Sequence, residues 1–85
     1  MDMYFSEREV LTVDLHNMNM AQAHAYHKSR VDRAPSEIRE IVVIHGYNSG
    51  CALQKMVRKD FKHPRVKGKI LSMNQGVTSL ILKQN

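Results

Sequence analysis

Along residues 9–16, "EVLTVDLH", polar and apolar positions alternate. Val10, Thr12, Asp14 and His16 fall on one side and Leu11, Val13 and Leu15 on the other, the two-residue period of a strand. Residues 39–46, "REIVVIHG", are nearly continuous in Ile and Val, as expected of a strand that is central in a sheet or covered on both faces. Between them, Asn19 followed three places later by Gln22 forms the pattern of a capping box. Good helix formers then fill 20–33 up to the break at Pro35, with an inward stripe of Met20, Ala23, His24, His27 and Val31. From Cys51 to Lys62, Leu53, Met56, Val57 and Phe61 lie on one side at helical spacing, and His63-Pro64 marks the end. Val66–Met73 and Val77–Lys83 read as two strands joined by a tight turn at "NQG". The order is βαβαββ, an α/β chain folding as one domain over residues 1–85 with its core at about 9–83.

Two strands joined by a helix are most simply parallel, with a right-handed crossover. That topology puts the end of the first strand, Asp14-Leu15-His16, beside the end of the second, His45-Gly46, on the edge where open α/β sheets bind ligands. A carboxylate and two imidazoles beside a glycine loop can perform acid–base chemistry at neutral pH. The loop that follows, Gly46, Tyr47, Asn48, Ser49 and Gly50, leads into the second helix. Its glycines allow amide groups to converge on an anion. The spacing is one residue short of a P-loop and no Lys-Ser or Lys-Thr follows. Glycines after a strand serve turn geometry more often than phosphate.

Charge sharpens the picture. The chain of 85 residues carries +5, unevenly distributed: residues 1–50 hold five Lys/Arg against seven Asp/Glu, and residues 51–85 hold eight against one. On the second helix Lys55, Arg58, Lys59 and Lys62 follow i, i+3, i+4, i+7, with Arg65, Lys67 and Lys69 extending the track. Like charges at that spacing repel unless an anion sits among them, so a polyanion is the natural partner, against the plainer reading of a solvated helix back. The start of the chain lacks the apolar block of a secretion signal and no apolar run reaches membrane-spanning length, so a soluble cytoplasmic protein without membrane contact is expected. The lone Cys51 excludes an internal disulfide and a cysteine-based zinc cage. At a helix start beside His45 it is a candidate nucleophile, although a small buried hydrophobe is the commoner fate of a single cysteine. His24 and His27, at i, i+3 without a third ligand, read as helix-surface or margin residues rather than a metal site, and His63 as a cap of the second helix. Tyr47 offers a flat ring for base stacking.

These motifs resemble those of the small MutS-related (Smr) domain family, over most of the chain from about Val10 to Lys83. The family's Leu-Asp-x-His-Gly corresponds to "VDLHN", with Asp14 and His16 in place and Val13 and Asn17 at the flanks. Its His-Gly-x-Gly-x-Gly corresponds to "HGYNSG", with His45, Gly46 and Gly50 in place and Asn48 at the middle glycine. A closing Gly-Val-Thr, apolar residues and Lys corresponds to "GVTSLILK". The resemblance implies a two-layer α+β sandwich, a mixed four-stranded sheet with two helices, similar to the C-terminal domain of a bacterial translation initiation factor. It also implies nicking or cleavage of nucleic acid, DNA in some members and RNA in others, including messenger RNA on stalled ribosomes, while other members only bind.

The reading is therefore an endonuclease-like domain with Asp14, His16 and His45 as acid–base residues. Phosphate is held by Gly46, Tyr47, Asn48, Ser49 and Gly50 and by Lys55, Arg58, Lys59 and Lys62. On RNA, one imidazole takes the 2′-OH proton and the other protonates the departing oxygen, with Asp14 orienting an imidazole and no metal or other cofactor required. On DNA, which lacks that internal nucleophile, a divalent cation such as magnesium or manganese is needed, with Asp14 as a ligand. The rival reading is a module that docks on ribosomal or other structured RNA without chemistry.

Overall fold

The computed structural model describes residues 10–46 and 52–83. Strand β1 (Val10–Asp14) leads through α1 (Met20–Arg33) to β2 (Glu40–Ile44). Helix α2 (Ala52–Lys55) continues as a π-helical turn, Met56–Asp60, before β3 (Val66–Leu71) and β4 (Val77–Leu82). The sheet order is β1-β2-β4-β3, with β1 and β2 parallel and β4 antiparallel to both neighbours. β3 therefore runs in the direction of β2. Both crossovers step the same way across the sheet, and right-handed connections then put both helices on one face. That face carries Val13 and Leu15, Ile41 and Val43, and Leu80 and Leu82, all buried against Ala23 and Val31 of α1 and Met56, Val57 and Phe61 of the second helix. Val42, Ile44, Ser79 and Ile81, on the opposite face, are half-buried.

Local chemistry explains the boundaries. Both halves of the capping box are formed: the Gln22 amide donates to Asn19 Oδ1 at 2.8 Å and the Asn19 amide to Gln22 Oε1 at 3.2 Å. α1 ends at an extended Ala34, the conformation that Pro35 imposes on the residue before it. The connection between β3 and β4 is longer than a two-residue hairpin turn and runs over residues 72–76. Asn74 still turns it, accepting from the Gly76 amide at 2.8 Å, while the Val77 amide donates to the Asn74 carbonyl at 3.1 Å.

Four side chains depart from the sequence reading, each because a tertiary partner claims it. His27 is not at the margin but fully buried (0% exposed), its ring 4.1 Å from that of Phe61 and neither nitrogen hydrogen-bonded, while His24 stays exposed. Burial, helped by the charges of His24, Lys69, His45 and His63, pulls the His27 pKa down to about 4, so the ring is neutral. His63 does not cap the second helix. Its Nδ1 accepts from the Arg65 amide at 3.1 Å and its Nε2 donates to Asp32 Oδ1 at 2.6 Å. Lys69 performs the capping instead, its Nζ donating to the carbonyls of Val57 (2.8 Å), Arg58 (3.2 Å) and Phe61 (2.8 Å). Arg65 does the same for α1, with Nη1 on the carbonyls of Val31 (2.8 Å) and Ala34 (2.7 Å). Two of the three cations expected to prolong the basic track thus satisfy helix ends.

Candidate active site at the tips of the first two strands

The parallel pairing of β1 with β2 ends at Asp14 opposite Ile44, and the Leu15 amide extends it by donating to the Ile44 carbonyl at 2.7 Å. The chain then turns, so His16 and Gly46 leave the two strand tips side by side. Gly46 has a φ of +76°, and a Cβ there would lie 3.2 Å from His16 Cβ. Gly76 closes the other side, where a Cβ would come within 3.4 Å of Gly46 Cα. The backbone at position 46 is thus pressed between His16 and the β3–β4 turn, which only glycine permits. The amides of His45 and Gly46 both donate to the Gly76 carbonyl, at 2.9 and 3.1 Å. The Gly46 amide therefore faces the protein and not an anion.

Asp14 and His16 form an exposed dyad, with half of each side chain open to solvent (51% and 50%). Asp14 Oδ1 accepts from the His16 ring Nδ1 and, at 3.1 Å, from the His16 amide. These bonds hold the Asp14 carboxyl below the usual carboxylate range. A carboxylate only accepts, so Nδ1 carries the proton of the neutral ring and the basic lone pair is on Nε2. The Asn17 side-chain amide donates to that Nε2 at 3.1 Å. An imidazole held in one tautomer by a carboxylate, on a half-exposed ring whose other nitrogen accepts only from the exposed Asn17 side chain, has the geometry of a general base once that amide is displaced.

His45 is placed differently. It is 2% exposed, its Nδ1 lies 3.0 Å from the Gly46 carbonyl oxygen, and its Nε2 lies 2.9 Å from Thr78 Oγ1. Burial is the main cause that pulls its pKa below the ordinary imidazole value. The Gly46 carbonyl opposes the shift and the Arg58 charge adds to it. Thr78, which sequence reasoning passed over, is also fully buried. The only sign of it was its place in the Gly-Val-Thr stretch.

The basic helix reaches the site at one end only. It starts beside the strand tips and runs to the far end of the sheet, where β3 begins. Lys55 and Lys59 are exposed along it. Arg58 turns inward, Nε donating to Thr78 Oγ1 at 2.6 Å and Nη2 to the Val77 carbonyl at 2.9 Å. The π-helical turn, closed by the Phe61 amide on the Met56 carbonyl at 2.7 Å, breaks the i, i+3, i+4, i+7 register that the sequence suggested. Lys62 lies past the helix end and, with Lys67 and Lys69, lines a groove of about 450 Å³ beside Phe61 and Gly68, remote from the dyad. Tyr47, Asn48, Ser49, Gly50 and Cys51 lie outside the described residues.

Asp14 Oδ1 is engaged by His16, and among the described residues no three His, Cys, Asp or Glu side chains gather as a metal cage. Among the same residues, no helix is long and apolar enough to cross a membrane.

A family model described as "Smr domain" matches residues 13–79. Among solved structures, the Smr domain of Thermus thermophilus MutS2 matches with a TM-score of 0.76 and 22% identity. The match covers 86% of this chain and 98% of that one, a likeness of fold. No curated protein matches the chain in sequence.

Proposed function

This chain belongs to the Smr domain family, which is associated with nucleic-acid binding and nuclease activity, and from that premise we propose that it binds single-stranded RNA and cleaves it at the Asp14–His16 dyad. The observation that carries the reading is the half-exposed His16 ring at the strand tips, held by Asp14 through Nδ1 with only the exposed Asn17 amide on Nε2. A ribose 2′-OH that displaces the Asn17 amide gives its proton to Nε2. The resulting 2′-oxygen attacks the adjacent phosphorus, the bond to the 5′-oxygen breaks, and water protonates the departing oxygen. Asp14 holds the ring in place and stabilises the imidazolium that forms. Residues 47–50, Lys55 and Lys59 hold the strand, and Lys62 reaches a more distant phosphate. Arg58 supports the site from behind. His45, with both nitrogens engaged inside the protein, shapes the site and does not exchange protons with the substrate.

The rival is an RNA- or ribosome-docking module without chemistry. It is favoured by the Asn17 amide standing on His16 Nε2 and by the lack of a second solvent-facing imidazole at the tips among the described residues. One experiment separates the two. Purified protein is incubated with end-labelled single-stranded RNA, the same strand with 2′-deoxyribose throughout, and supercoiled DNA, each with and without chelator. The reading requires 2′,3′-cyclic phosphate ends on RNA alone, with chelator present. Salt-sensitive retention without products establishes the module, and nicking of DNA that chelator abolishes overturns the metal-free mechanism.

A further inference from the structure

With the buried His45 ring neutral, the hydrogen bonds behind Gly46 have one consistent set of proton positions. His45 Nδ1 faces the Gly46 carbonyl oxygen at 3.0 Å, and a carbonyl only accepts, so Nδ1 bears the proton. In the neutral ring Nε2 is then a bare lone pair, and the Thr78 hydroxyl 2.9 Å away must donate to it. The hydroxyl oxygen in turn accepts from Arg58 Nε at 2.6 Å. Arg58 is always charged, so its donor turns the hydroxyl proton away from itself and toward His45. The chain has one direction, from Arg58 through Thr78 and His45 to the Gly46 carbonyl. It ends at the left-handed backbone that stands 3.2 Å, by the measure of an added Cβ, from His16. Its two inner members are closed to solvent, so water cannot replace a lost partner.

We propose that Thr78, backed by Arg58, is a positioning residue of the candidate active site: it locks His45 in the Nδ1–H form and so fixes the Gly46 turn against which His16 is held. This assignment deepens the cleavage reading and rests on it for its functional consequence, but the hydrogen-bond chain can be tested without turnover. Sequence reasoning gave Arg58 to the substrate and Thr78 no role. The structure makes them the first two members of one support.

The experiment compares wild type, Thr78→Val and Thr78→Ser. Ring ¹⁵N NMR of the wild-type chain should show His45 as the neutral Nδ1–H tautomer, and an Nε2–H tautomer overturns the chain outright, with no variant needed. Thr78→Val keeps the shape and removes the hydroxyl. It should shift the His16 and Gly46 resonances and lower the RNA cleavage rate at saturating substrate about tenfold or more, with the RNA dissociation constant within about twofold of wild type. Thr78→Ser, which restores the hydroxyl, should return both the spectrum and the rate. Unchanged His16 and Gly46 resonances in Thr78→Val, or a serine variant that fails to rescue, refute the positioning role. If wild type cleaves nothing, the catalytic reading fails, and the tautomer and the valine–serine contrast in the spectra still decide whether the support exists.

Discussion

Replacing His27 by leucine should remove the share of the fold's acid sensitivity that comes from this buried ring. The wild-type ring is fully buried beside Phe61 with both nitrogens unpaired, and its pKa is about 4. In the unfolded chain it returns to about 6.5. Between these values the unfolded state binds the extra proton, so the stability gained from keeping the ring neutral is complete above about pH 6.5 and is lost as pH falls toward about 4. At 1.36 kcal/mol per decade, the loss approaches about 3 kcal/mol. For a domain of this size that is a fall in melting temperature on the order of 10–20 °C. His27→Leu has no proton to gain. It also removes two buried polar atoms without partners, so it should equal or exceed wild type by about 1 kcal/mol even at pH 7.5. Urea unfolding of both proteins from pH 4 to pH 8 measures the effect. Asp14, Asp32 and His45 titrate alike in the two chains and cancel in the difference. The difference should widen steadily below about pH 6.5, and parallel stability curves would refute the buried, unpartnered placement of His27.

Further outcomes follow from the same geometry. Gly46→Ala, which meets both a φ of +76° and the His16 side chain, should lose about 1–3 kcal/mol of stability and most cleavage, read by thermal unfolding and RNA turnover. Lys69→Met, which keeps the apolar stem but uncaps three carbonyls of the second helix, should lose about 2 kcal/mol and speed hydrogen exchange at residues 56–61 first. Lys59→Gln should reduce the salt dependence of RNA binding by about one counterion in a log–log plot, whereas Arg65→Gln should leave that slope unchanged and cost stability, because Arg65 serves the end of α1.

The fold was largely legible because its signals are local. Asn19 and Gln22 marked the start of α1, Pro35 its end, the alternation of β1 and the apolar run of β2 marked two strands, and the helix between them predicted a parallel pair whose tips meet. The side chains that depend on distant partners were not legible. A sequence shows Arg58, Arg65 and Lys69 as surface charge by default. Only the assembled sheet reveals the carbonyls and the Thr78 hydroxyl that draw them inward. The same holds for His27, whose phase on the inward stripe was read correctly but whose polarity argued for the margin. The π-helical turn at Met56–Asp60 has no periodic signature over so few residues, so the basic row looked continuous when it is not. His16 and His45 look equivalent in sequence, each at a strand end. Burial alone separates the exposed His16 ring from the inward His45 ring.

The central claim is that one solvent-facing imidazole, His16, carries the chemistry. Its most direct test is single-turnover cleavage of labelled single-stranded RNA by wild type and His16→Ala at matched binding saturation. Cleavage should vanish in the variant while RNA affinity stays within about twofold of wild type, as expected when a proton-transfer group is removed and the phosphate contacts remain. Cleavage by His16→Ala at the wild-type rate would contradict the account.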